Sequence, residues 1–193
     1  MDETRYDLIN ENKKEMSMTP FVVMLIGVIV MVVALILPYV TAVGNLADYI
    51  EKNPDRVENE SLELTASDLA NVPVVSASNI VIGLFGEDEG IIAKVIVAVL
   101  GSCTALTVLF VMIKKPVVVI IFDLLTCGVF FFLNFMMRET FIVSEETYAW
   151  GIGYYVLIIA AIIAFAGAVW MIVTNINIKR EAKKKIEDRK VIE

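Results

Sequence analysis

Four long apolar runs separate the polar segments of this chain. They are Phe21–Tyr39, Ile91–Ile113, Val117–Met137 and Gly151–Val173. Each contains about 19 to 23 residues, and a helix of that length crosses a hydrocarbon core of roughly 30 Å. The pattern predicts an all-α membrane protein in which four transmembrane helices form a bundle.

The polar residues between the runs set the predicted boundaries. Thr19 and Pro20 mark the start of the first span, because threonine caps helices and proline fits the first helical position. The predicted segments are an N-terminal cytoplasmic segment (1–19), the first span (20–40), an extracytoplasmic loop or small domain (41–90), the second span (91–113), a cytoplasmic turn (114–116), the third span (117–137), a second extracytoplasmic loop (138–148), the fourth span (149–174) and a basic cytoplasmic tail helix (175–193).

Basic residues indicate the orientation of the spans. Twelve of the 16 Lys and Arg residues lie before the first span, in the turn 114–116 or in the tail after the fourth span. Segments rich in Lys and Arg remain on the cytoplasmic side of a membrane. Both termini are therefore predicted to be cytoplasmic, in a multi-pass protein of the plasma (cytoplasmic) membrane.

The two loops on the opposite side are acidic, with 13 Asp and Glu residues against three basic ones. Glu87, Asp88 and Glu89 form the densest acidic group and are expected to lie in a turn between two glycines. Such a surface either attracts a cationic partner or metal ions, or it keeps the outer domain soluble. The sequence leaves both interpretations open.

Short β-rich stretches occur in both outer loops, and the first loop is too long to be a hairpin connection. Ser67–Asn71 has the composition of a helical turn. We expect the β-rich stretches of both loops to form one small sheet on the outer end of the bundle. These stretches are Leu62–Thr65, Val72–Val75, Asn79–Leu84 and Thr140–Val143.

The predicted topology resembles that of the claudins, which have four spans, cytoplasmic termini and a long first outer loop. Claudins carry one Trp and two Cys in that loop, and the loop 41–90 contains neither residue type. The resemblance therefore implies topology alone. The chain also resembles small bacterial four-helix membrane proteins of uncharacterised function, through Gly86–Gly90 before the second span and Gly151-Ile152-Gly153-Tyr154 at the start of the fourth. That resemblance implies a fold and no activity.

The second and third spans are joined only by Lys114-Lys115-Pro116, so they are expected to form a tight antiparallel hairpin. Its register brings polar residues of the two spans to similar depths on facing helical sides. The expected intramembrane polar seam consists of Asp123, Thr107, Thr104, Thr126, Cys103, Cys127 and Asn134.

Asp123 is the most informative residue of this seam. A carboxyl group inside a span costs about 2.5–3.5 kcal/mol at the membrane centre, so it is a candidate functional group. One hypothesis makes it a carboxylate that handles protons or cations. The other makes it a structural residue that is protonated, bonded to Thr107 or reached by a lysine of the turn.

Small residues recur at four-residue spacing on two spans and predict close helix packing. This packing is either internal or with a second chain. The positions are Gly101 and Ala105 on the second span and Ala160, Ala164 and Ala168 on the fourth.

Composition argues against catalysis. The chain has no histidine, and its two cysteines lie inside predicted spans, so no metal site, cofactor site or nucleophile–base pair is expected. Membrane lipids are an expected partner, together with a second copy or another membrane protein, and nucleic acid is not. The first hypothesis is a non-catalytic assembly, interaction or accessory subunit with an acidic extracytoplasmic domain. Alternatives are a small transporter, channel or transporter accessory that uses Asp123, and an immunity or self-protection protein.

Overall fold

The computed structural model describes residues 3–54, 65–85 and 87–190, and most of these residues are helical. Three short strands form the only sheet among the described residues. The elements are α1 (Glu3–Ala34), β1 (Pro38–Ala42), α2 (Gly44–Lys52), α3 (Ala66–Ala70), β2 (Asn71–Pro73), a 3-10 turn (Val74–Ser76), α4 (Ala77–Phe85), α5 (Glu87–Met112), α6 (Pro116–Glu139), β3 (Tyr148–Trp150) and α7 (Ile152–Lys190).

In the part of the chain that the structure describes, three helical stretches are long and apolar enough to cross a membrane: Gly90–Met112, Pro116–Glu139 and Ile152–Glu181. They correspond to the second, third and fourth predicted spans. The apolar part of α1 is shorter, at Met18–Ala34.

The C-terminal limit predicted for the first span is wrong. The helix ends at Ala34, and Pro38–Ala42 form β1 instead of a last helical turn. Proline cannot donate a backbone hydrogen bond to a continuing helix. Tyr39 and Val40 are then buried in the sheet, so the apolar run continues past the helix without being helical.

The predicted N-terminal limit of this helix is also wrong, because α1 begins at Glu3 and contains Pro20. At the other end of the chain, α7 continues without a break to Lys190, through the segment that was expected to form a tail helix. Residues 191–193 lie outside the described part of the chain.

The four longest helices pack side by side, with α7 between α1 and α6, and α5 in contact with α6 and α1. The contact between α1 and α7 is the closest. A Cβ atom built on Gly27 would lie 2.5 Å from the backbone nitrogen of Ala164. One built on Gly167 would lie 2.6 Å from the backbone nitrogen of Met24. Only glycine allows the two backbones to approach this closely.

The predicted hairpin is present between α5 and α6. Lys114 adopts a φ of 57° in the turn, and Pro116 occupies the first position of α6. The rings of Phe110 and Phe122 stack 5.3 Å apart, one on each side of the turn. This stack fixes the register in which the two helices pack.

A small sheet is present, with strand order β2-β1-β3. It was expected from the two outer loops, but only β2 lies wholly within a predicted loop, whereas β1 and β3 lie mostly in the predicted first and fourth spans. Both pairings are antiparallel, and Val40 pairs with Val72 on one side and with Trp150 on the other. The central strand comes from the end of the first apolar run, a position where the sequence pattern predicted helix.

Several local predictions for the outer loops are corrected. Asn79–Leu84 lies within helix α4 and is not a strand. Thr140–Val143 forms an irregular turn, in which Phe141 has a φ of 57°. The predicted helical turn after Ser67 is confirmed as α3, and Val72–Val75 is a strand only at its start. Of the predicted stretch Leu62–Thr65, only Thr65 is described.

Candidate functional site

The predicted ridge on the fourth span is buried inside the protein. Ala160, Ala164 and Ala168 have no exposed surface, and Ala164 lies against Gly27 of α1. This ridge therefore packs α7 onto α1 and is not available for a contact with a second chain.

The ridge on α5 has the opposite environment. A Cβ atom built on Gly101 would meet no heavy atom within 4 Å in the described structure. Ala98, Ser102 and Ala105 are exposed beside it. The Ser102 hydroxyl donates to the carbonyl oxygen of Ala98, 2.8 Å away, so the polar group of this ridge is satisfied within its own helix. We call Ala98, Gly101, Ser102 and Ala105 the α5 ridge.

The threonines of the predicted polar seam are buried, and each bonds its own helix. The hydroxyl of Thr104 donates to the carbonyl of Leu100 at 2.9 Å. That of Thr107 donates to the carbonyl of Cys103 at 2.9 Å. Thr126 repeats this arrangement with Phe122 at 2.8 Å. This local bonding is common for threonine within helices.

Asp123 is 1% exposed, and its Oδ1 atom has no hydrogen-bond partner among the described residues. The expected bond from Thr107 is absent, because that hydroxyl donates to Cys103. A buried acceptor without a partner costs free energy. Asp123 is therefore one of two seam residues with an unpartnered polar atom among the described residues, the other being Asn134.

Asp123 lines a groove of about 320 Å³ between α6 and α7. We call it the α6–α7 groove. Cys127 and Phe131 continue its α6 wall, and Ala161 and Phe165 belong to its α7 wall. All lining residues apart from Asp123 are apolar or cysteine. The sequence pattern identified Asp123 and Cys127 but not the opposite wall, which consists of ordinary apolar residues.

The remaining seam residues lie elsewhere. Cys103 is half-buried on α5 and carries a free thiol. Asn134 lies near the C-terminal end of α6, where its Oδ1 atom accepts a hydrogen bond from the Tyr39 hydroxyl. Its Nδ2 atom has no partner among the described residues. The seam is thus divided: Asp123 and Cys127 line the groove, whereas Asn134 lies at the sheet end of α6.

Aromatic side chains surround the Tyr39–Asn134 bond. The Tyr39 ring packs 5.7 Å from Phe130 and 5.5 Å from Trp150. Trp150 stacks on Tyr154 at 4.7 Å. Gly153 packs closely against the end of the first apolar run, because a Cβ atom on it would lie 2.7 Å from the carbonyl oxygen of Leu37. The glycines of the Gly151-Ile152-Gly153-Tyr154 motif thus let the start of α7 pack against the end of the first apolar run.

The segments around the sheet contain two further polar contacts. Thr65 and Asp68 form a reciprocal cap on α3, and the hydrogen bonds from Thr65 lower the pKa of the exposed Asp68 carboxyl. The Tyr148 hydroxyl donates to the carbonyl oxygen of Leu69 at 3.0 Å. Burial raises the pKa of Tyr148 to about 12. Both contacts serve the local structure around the sheet.

Glu87, Asp88 and Glu89 were expected to lie in a turn, and this expectation is wrong because their backbone is helical. Residues 87–89 form the first turn of helix α5. Among the described residues, no three acidic or cysteine side chains come together in a way that could hold a metal ion.

Comparisons with protein-family models, with curated proteins and with solved structures give no match for this chain.

Proposed function

We propose that this chain is a non-catalytic, multi-pass membrane protein that assembles laterally, as an interaction or accessory subunit, with a second copy or with another membrane protein. Helices α1, α5, α6 and α7 supply four spans in this proposal. Large apolar side chains on their outer faces, such as Val99, Phe132 and Ile159, are exposed in the isolated chain. Such faces are stable when lipid or another membrane protein surrounds them.

The observation that carries the proposal is the contrast between the two small-residue ridges. The alanines of α7 are covered by α1, whereas the α5 ridge contacts no other helix at Gly101. Small residues on a helix surface allow the backbone of another helix to approach closely. An uncovered ridge of this kind therefore favours contact with a helix of another chain.

The charge distribution supports the same arrangement. Basic residues at the turn 114–116 and along the tail favour cytoplasmic termini. The acidic outer loops would then form, with the three-stranded sheet, a small extracytoplasmic domain. That domain presents a negatively charged surface to the protein that associates with the membrane part.

Cross-linking in native membranes tests lateral assembly. A lipid-soluble cross-linker is applied to membranes that contain the full chain at its natural level, and the mass of the product is measured. The proposal predicts a product of one defined mass, larger than the monomer, that persists when the membranes are diluted with excess lipid, because random collisional cross-links are lost on dilution. A monomer under every cross-linking condition contradicts the proposal.

A small transporter, channel or transporter accessory is the second candidate, and the unpartnered Oδ1 of Asp123 is the observation that favours it. Replacement of Asp123 by Asn would abolish an ion or proton flux while expression stays normal. An Asp123→Asn variant that retains the flux of the wild type argues against this candidate.

A further inference from the structure

We propose that the α6–α7 groove binds an aliphatic amphiphile with a hydrogen-bond-donating head group, a hydroxyl or an amine, which pairs with the Asp123 carboxyl group. This inference rests on the membrane location proposed above and not on lateral assembly. It assigns a ligand site to a part of the molecule that the α5 ridge does not involve.

The head-group chemistry follows from Asp123. Its side chain is almost completely buried, and its Oδ1 atom lacks a partner among the described residues. The buried threonines cannot supply a donor, because each hydroxyl already donates within its own helix. A carboxyl oxygen without a partner favours a ligand that brings a donor to it.

The apolar part of the ligand follows from the walls. Apart from Asp123, they consist of aliphatic, aromatic and thiol groups, which favour a hydrocarbon chain. The groove opens to the lateral surface of the helices between Leu124 and Ile162, whose side chains are 57% and 63% exposed. A ligand can therefore enter sideways from the hydrocarbon phase.

The size of the groove distinguishes a slender molecule from a protein helix. A helix with its side chains is about 10–12 Å across, so even one turn occupies more space than the 320 Å³ of the groove. That volume lies at the lower end of small-molecule sites. A single aliphatic chain with a small head group fits these limits.

The position of Asp123 is consistent with such a molecule. It is the eighth residue of α6, so it lies about 10 Å along the helix from Pro116. A head group at Asp123 with a chain directed along α6 and α7 would contact Cys127, Phe131 and Leu157 in turn. The proposed ligand thus lies with its polar end nearer the hairpin turn of α5 and α6.

Photoaffinity labelling of the full chain in lipid vesicles tests the proposal. The probes are dodecanol and dodecylamine, each with a diazirine near the end of the chain, and excess untagged probe serves as competitor. We expect competed labelling concentrated on peptides that contain the groove walls. Replacement of Asp123 by Leu should reduce it about fivefold, the change that corresponds to one lost hydrogen bond.

Asp123→Asn separates the two head groups, because asparagine keeps an acceptor oxygen and removes the negative charge. An alcohol should label this variant about as well as the wild type, whereas an amine that pairs with the charge should label it less. Retained labelling by the alcohol supports hydrogen bonding as the basis of recognition. Loss of labelling by both probes in Asp123→Asn overturns it.

A matched pair of variants tests the groove itself. Leu124→Trp places a bulky ring at the mouth of the groove, and Leu125→Trp places the same ring on an exposed position that does not line it. The first should reduce labelling and the second should leave it unchanged. Carbonate extraction establishes that each variant is integrated in the vesicles, which separates failure of the ligand site from failure of the membrane location.

Two labelling results would overturn the proposal in protein that is integrated in the vesicles. One is labelling of equal strength in the wild type and in Asp123→Leu with both probes. The other is labelling spread evenly over all exposed apolar faces, without competition, which is the result for ordinary lipid contact. Capture of a protein helix across Leu124 and Ile162 by the wild type, with no probe labelling, would likewise show that the occupant is not an amphiphile.

Discussion

The Tyr39 hydroxyl donates a hydrogen bond to the Oδ1 atom of Asn134, and this bond joins the central strand of the sheet to helix α6. Both side chains are buried, and the Asn134 amide nitrogen has no partner among the described residues. The asparagine therefore depends on Tyr39 for a hydrogen bond to its carbonyl oxygen. This contact anchors the sheet to the helices.

Replacement of Tyr39 by Phe should lower the free energy of unfolding by about 1–3 kcal/mol, because it leaves the Asn134 carbonyl oxygen buried without a donor. Unfolding in mixed micelles, followed by circular dichroism, measures the change. The control is Tyr49→Phe, since Tyr49 is 50% exposed on α2. Combined with Asn134→Leu, the Tyr39→Phe change should cost less than it does alone. Equal costs in both backgrounds would contradict the role assigned to this bond.

Two helical glycines, one in the contact between α1 and α7 and one in open space on α6, predict opposite effects of substitution by alanine. Gly27→Ala should destabilise the protein by about 1–3 kcal/mol, because its Cβ atom would meet the Ala164 backbone. Gly128→Ala should instead stabilise it by about 0.5–1 kcal/mol, since that Cβ atom meets nothing within 4 Å and alanine favours helix. Both values come from the same unfolding measurement, and a neutral Gly27→Ala would show that the two helices can separate without cost.

Tyr148 predicts a loss of stability at alkaline pH. Burial raises the pKa of its hydroxyl to about 12 in the folded protein, above the value near 10 for an exposed tyrosine. The folded state therefore holds this proton more tightly, so its contribution is complete below pH 10 and is lost as the pH rises toward 12. Unfolding measured across this range should show the fall, and Tyr148→Phe should make it shallower. A phenolate absorbance titration without a late-titrating tyrosine would argue against the buried environment.

The hairpin register predicts a cross-link between Cys103 and Cys127. The stacked pair of Phe110 and Phe122 fixes how α5 and α6 face each other. Cys103 lies eleven residues before the turn 114–116, and Cys127 lies eleven residues after it. Because Cys127 also lines the α6–α7 groove, a flexible thiol-reactive cross-linker should join the two cysteines within one chain, and the product is visible as a faster band on a gel. Cys103→Ser is the control that should abolish the band, and its absence in the wild type would count against the shared depth.

The hydropathy pattern was sufficient to predict three of the long helices, but it did not predict where the first one ends. The run Phe21–Tyr39 is uniformly apolar, yet its last residues leave the helix after Ala34 and enter a buried strand. A continuous apolar run predicts burial without distinguishing a buried strand from a helix. Pro38 was the available local signal, because a helix usually ends before a proline.

Local propensity failed where tertiary packing decides the structure. Asn79–Leu84 is rich in β-branched residues, but α4 packs as a helix against α5, with Ile82 beside Gly90. Tertiary contacts commonly override a weak strand preference. The candidate site was predictable only in its polar member, Asp123, since the facing wall of the α6–α7 groove has no residue that the sequence distinguishes from core.

The same limit applies to the two small-residue ridges. Ala160, Ala164 and Ala168 have the same spacing as the residues of the α5 ridge, and the sequence alone cannot say which ridge is covered. The structure places α1 over the alanines of α7 and leaves Gly101 open. That difference is the basis of the proposed lateral assembly.

A comparison of Gly101→Leu with Gly128→Leu in native membranes tests lateral assembly most directly. A Cβ atom at either position meets no heavy atom within 4 Å in the described structure, so both variants should fold. Leucine at Gly101 would overpack a close helix contact by about 1–3 kcal/mol, enough to weaken association about fivefold or more. The cross-linked product should be lost in Gly101→Leu and retained in Gly128→Leu. Equal cross-linking of the wild type and both variants would contradict it.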